Sequence, residues 1–118
     1  MKIIFVIGAF VLLVFCASKN EIPHLQSTQI RVVNRTNESF TNVMLFSMKF
    51  QNLMPNDTSA YRILNFDDLK DDSLIYCSTG DINYARYLEI PDDKVKFFTY
   101  IIDSIQDGIL YVSSIKEY

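Results

Sequence analysis

The chain has one histidine, two cysteines and no block of positive charge, and each shortage removes a class of function. Nucleophilic catalysis needs a base beside the Ser or Cys and a third group to orient it. His24 is the only histidine, and it stands in "ASKNEIPHLQST" (17–28), a Pro-containing stretch with no sustained period. A base in such a linker has nothing to hold it. A zinc site needs three or four nitrogen and sulfur ligands, which one His and two Cys do not supply at any familiar spacing. Two cysteines, Cys16 and Cys77, also exclude a disulfide-stapled mini-protein. Of the eleven Lys and Arg one is Lys2, so residues 16–118 hold ten against fourteen Asp and Glu, a formal charge of −4. Without clustered positive charge a nucleic-acid partner is not expected. These absences predict a non-enzymatic protein with no cofactor and no metal.

Long apolar runs are missing too. Ile3 to Phe15 is apolar or small throughout, but a membrane-spanning helix takes about 20 such residues. The run has the size of the apolar part of an export signal. Residues 1–15 are therefore read as a signal peptide, 16–28 as a tether, and 29–118 as one domain. After residue 28 no stretch sustains helical periodicity over three turns; "ILNFDDLKDD" comes nearest and predicts one helical turn at most.

What is present is a rhythm of short β-rich runs and turn signals. "QIRVV" (29–33), "FTNVMLF" (40–46), "AYRILNF" (60–66), "SLIYCS" (73–78) and "INYARYLEI" (82–90) are separated by clusters of Asn, Asp, Ser, Pro and Gly. "KVKFFTYIIDSI" and "ILYVSSIKEY" flank Gln106-Asp107-Gly108, and Asp-Gly between such runs is the strongest short-range hairpin signal. In the first of the pair Phe98, Tyr100 and Ile102 share one face, while Val95, Phe97 and Ile101 share the other. A strand apolar on both faces belongs in the middle of a sheet, its second face covered or forming a site. The prediction is an all-β domain: a small two-sheet antiparallel sandwich of about seven strands, immunoglobulin-like or prealbumin-like.

Few residues then remain as candidates for chemistry. Asp67, Asp68, Asp71 and Asp72, and the pair Asp92-Asp93, are carboxylate clusters without the order of a calcium loop, and they read as loop charges that protect strand ends. Cys77, in the apolar run "SLIYC", reads as a buried small hydrophobe. A bridge to Cys16 would require Cys16 to survive unmodified. Tyr61, Tyr76, Tyr84, Tyr87 and Tyr100 with Phe97 and Phe98 read mainly as core and cross-strand pairs. Phe97, Tyr84 and Tyr87 are the candidates for a binding surface, because tyrosine and other aromatics are enriched at interfaces. Asn34-Arg35-Thr36, Asn37-Glu38-Ser39 and Asn56-Asp57-Thr58 are glycosylation triplets, relevant only in a eukaryotic secretory route.

Lys2, the apolar run and Leu13-Val14-Phe15-Cys16 together resemble a bacterial lipoprotein signal, in which the Cys becomes the lipid-bearing first residue. Leu13 matches the motif and Val14 is acceptable. Phe15 departs from it, standing where Gly, Ala or Ser is usual, although Bacteroidetes-type signals are looser there. The resemblance implies a lipid, such as palmitate, on Cys16 and a place on the periplasmic or outer-membrane side of the cell envelope. Cleavage after Cys16 or Ser18 is the alternative, and it yields a soluble secreted protein. "IRVVNRTNESFTNVMLFS", "NDTSAYRIL" and "KFFTYIID" are similar to a group of small flavobacterial lipoproteins, with Phe40, Asn42, Val43, Phe98, Thr99 and Tyr100 matching. That similarity implies fold and location and brings no catalytic motif. The expected partners are the membrane and an envelope protein or glycan.

Overall fold

The computed structural model describes residues 28–118. The export signal, Cys16 and His24 lie outside the described residues. Among the described residues there are eight strands and no helix: β1 (Gln29–Asn34), β2 (Thr41–Leu45), β3 (Met48–Lys49), β4 (Arg62–Ile63), β5 (Leu74–Thr79), β6 (Ile82–Tyr87), β7 (Phe97–Gln106) and β8 (Ile109–Glu117). They form two four-stranded sheets, in the orders β4-β1-β7-β8 and β3-β2-β5-β6. The small all-β sandwich expected from the strand rhythm is the architecture observed.

Its details sharpen the expectation. The sheet pairings are antiparallel except that β1 runs parallel to β7, from Gln29 opposite Phe97 to Asn34 opposite Ile102. An immunoglobulin sandwich places its first two strands side by side in one sheet. Here β1 and β2 lie in different sheets, which leaves the prealbumin-like arrangement of the two shapes. The strand beyond the predicted seven is the two-residue β3, and "AYRILNF" contributes strand only at Arg62–Ile63. Thr28 is buried and its hydroxyl donates to the Val95 carbonyl at 2.7 Å, so it belongs to the sandwich rather than to the tether.

The alternation of side chains builds the core. Ile30 and Val32 of β1, Phe98, Tyr100 and Ile102 of β7 and Leu110 of β8 face Phe40, Val43, Leu45, Ile75 and Cys77 of the other sheet. Full burial of such a side chain contributes about 1.5–3 kcal/mol. On the opposite face of β7, Thr99 and Ile101 are buried as well. Phe97 is half-buried there, its ring 5.0 Å from that of Tyr61, over which the Arg31 guanidinium sits at 4.5 Å.

Two bulges adjust this alternation. Between Thr41 and Met44 strand β2 carries one residue more than β5 opposite, and Asn42 sits there at φ 52°. Phe40 and Val43, three apart, thereby both reach the core. In β7 the register steps from Ile102 opposite Val112 to Ser104 opposite Tyr111, leaving Asp103 as the extra residue. Before it the even-numbered residues point inward; after it Ile105 packs on the core.

Candidate functional site: a cleft at one end of the sandwich

The site starts from an asparagine with no exposure. Asn34 ends β1, and its amide nitrogen donates to the carbonyls of Glu38 at 2.7 Å, Met54 at 3.1 Å and Leu53 at 3.4 Å. Its oxygen accepts from the Thr36 amide at 2.9 Å and the Thr36 hydroxyl at 2.8 Å. Thr36 in turn accepts from the Glu38 amide at 3.0 Å. The amide of Arg35 donates to the Ile102 carbonyl at 2.9 Å. A buried amide left unsatisfied is costly, whereas a fully satisfied network fixes its surroundings in one arrangement. The four-residue turn from Arg35 to Glu38 is therefore held rigidly over the sandwich end.

That turn forms one wall of an open cleft of about 510 Å3. Thr79 and Ile82, on either side of the β5–β6 turn, form the facing wall, with Tyr84 two residues further along the strand. Asp103, Ser104 and Ile105 close the third side. The bulge explains why Asp103 is here: an unpaired extra residue turns its side chain away from the regular alternation. The hydroxyl of Thr79 donates to a Glu38 carboxylate oxygen at 3.3 Å and ties the first two walls together.

Within the described residues Arg35 and Asp103 form no ion pair, and the Tyr84 hydroxyl and Asn37 amide make no side-chain hydrogen bond. The cleft thus presents a guanidinium, carboxylate oxygens, an amide and a phenol to solvent, beside the exposed Ile82. Arg35, Glu38 and Asp103 sum to one negative charge.

The three aromatic candidates are not brought together. Tyr84 pairs with the buried Cys77, faces the core and lines the cleft. Tyr87 is three residues on and so points out of the opposite face, 80% exposed, opposite Leu74. Phe97 is on the outer face of the other sheet. An odd spacing along a strand without a bulge separates side chains in this way. Cys77 is a free buried thiol, pushed up to about 12 by burial. The Asp67 to Asp72 group makes turn hydrogen bonds: Asp71 accepts from the Asp67 amide and Asp67 from the Leu69 amide. Among the described residues no three His, Cys, Asp or Glu converge as a metal site. Asn34, first of the glycosylation triplets, has no exposure; Asn37 and Asn56 are exposed.

Arg35, Asn37 and Asp103 carry no sequence signal that would bring them to the same cleft as Tyr84. They come from separate segments, and the one local signal was the polar Asp103 interrupting the apolar run of β7. No protein-family profile matches the chain, and no characterised protein matches its sequence.

Proposed function

We propose that this chain is an exported, lipid-anchored, non-enzymatic binding module of the cell envelope, with the end cleft as its recognition site and an envelope protein or glycan as its partner. One observation carries the binding half: a rigidly held turn lines an open cleft in which the Arg35, Asp103 and Tyr84 side chains lack partners within the domain. Such preorganisation lowers the ordering cost of binding. The groups offered are hydrogen-bond donors and acceptors.

The anchoring half rests on Cys16 at the end of an apolar run too short to span a bilayer. Each buried methylene of an acyl chain contributes about 0.8 kcal/mol, and two or more chains turn marginal binding into stable attachment. Cells expressing the full chain and fed an alkynyl palmitate are expected to label it, and Cys16→Ser to abolish the label. Phe15, the departure from the lipoprotein motif, favours the second reading, a soluble secreted module. An unlabelled protein whose mature N-terminus is Ala17 or Lys19 would establish that reading in place of the anchored one.

A further inference from the structure

We propose that the end cleft binds a neutral oligosaccharide, an inference that rests on the reading of the cleft as the recognition site and adds the chemistry of the ligand. A sugar hydroxyl both donates and accepts. Neighbouring hydroxyls are matched by planar side chains that present two atoms at once: the guanidinium fork of Arg35, the amide of Asn37 and the carboxylate of Asp103. All three line the cleft without partners in the domain. Ile82 and the ring of Tyr84 supply apolar surface for the C–H face of a pyranose, the combination of apolar lining and few placed polar groups found in ligand sites.

Charge narrows the class. One guanidinium against two carboxylates gives the cleft a net charge of −1, which disfavours phosphate, sulfate and acidic sugars. A cation has no converging set of three acidic or imidazole ligands to hold it. An extended peptide would seek the free backbone groups of a sheet edge, and of the lining residues only Ile82 and Tyr84 stand on an edge strand, β6. The volume of about 510 Å3 falls within the roughly 300–1,000 Å3 of small-ligand clefts. The placement is prepared in advance, by the Asn34 network under the turn and by the bulge at Asp103.

The test uses the full chain, purified in a zwitterionic detergent that has no sugar headgroup. Saturation-transfer NMR is recorded with chitotriose, mannotriose and maltotriose, and with trigalacturonate as an acidic counterpart. At least one neutral trisaccharide is expected to receive saturation and the acidic one to bind more weakly. Asp103→Asn and Arg35→Met are expected to raise Kd at least about tenfold, while Tyr87→Ser on the far face leaves it unchanged. The substituted side chains are exposed, so an unaltered melting midpoint confirms that each variant is folded. Absence of transfer to all three neutral sugars at millimolar concentration overturns the proposal. So does transfer that both cleft substitutions leave intact. A photo-crosslinking residue at position 37 in intact cells separates the two levels. Crosslinks to a protein with no sugar binding refute the glycan and keep the recognition site, and no crosslink together with no sugar binding retires both.

Discussion

Tyr100 and Cys77 carry acidic protons in places that oppose their loss. The Tyr100 hydroxyl is buried and donates to the Glu89 carbonyl at 2.6 Å. Burial first, and the Glu89 charge second, push its ionisation far above the ordinary phenol range. Burial alone lifts the Cys77 thiol from 9.0 to about 12. At neutral pH both groups are protonated in folded and unfolded chains alike, so they give no pH slope. Above pH 9 the unfolded chain releases protons that the folded one keeps. Stability is therefore full below the unfolded values and declines as pH rises from 9.0 toward about 12. Urea midpoints measured from pH 7 to 11 are expected to be level at first and then to fall, and Cys77→Ala to flatten part of the fall. A profile level to pH 11 would contradict this account of the core.

At the scale of elements, the two-residue turns joining β2 to β3 and β7 to β8 solve one problem with different residues. Each needs positive φ at both central positions. Asp107 and Gly108 adopt 54° and 77°, and Phe46 and Ser47 adopt 52° and 64°. A Phe in the left-handed region is a steric outlier. Phe46 is held by full burial of its ring, 5.2 Å from Phe66 and 5.8 Å from Tyr100. Ser47 is exposed, and its side chain makes only a long, solvent-exposed contact, accepting from the Asp72 amide at 3.3 Å. Ser47→Gly is expected to stabilise the domain by about 1 kcal/mol, or roughly 4–8 °C in Tm. Gly108→Val is expected to cost at least about 1–2 kcal/mol through the backbone alone, since nothing lies within 4 Å of the added Cβ. Thermal melts of the two variants check both signs. The pair also shows what was legible in the sequence. Asp107-Gly108 announces its hairpin, and Phe98, Tyr100 and Ile102 announce their face. Phe46-Ser47 carries no turn signature, so β3 went unread. The bulges were unread for a related reason: a spacing of three between Phe40 and Val43 breaks a period of two without naming the residue responsible. The cleft was the least legible, because its groups meet only once both sheets are packed.

For the whole molecule, the parallel pairing of β1 with β7 has a kinetic consequence. Gln29 finds its parallel partner at Phe97, and Asn34 at Ile102, so beyond its short ladder to β4 the first strand cannot complete its sheet until most of the chain exists. Local hairpins such as β5–β6 close early, whereas the parallel pairing of Ile30 and Val32 waits for the far end. Loop-closure entropy must be met before such distant contacts reward it, which places domains of this kind in the millisecond-to-second range of folding times. Stopped-flow refolding is expected to fall in that range. A microsecond phase accounting for the full amplitude would show that β1 docks by another route. A chain emerging from a ribosome or a translocation pore would then remain without its native core until Phe97–Gln106 had cleared the exit. The export proposed for this chain would need such a delay, which an order of strands like this one provides.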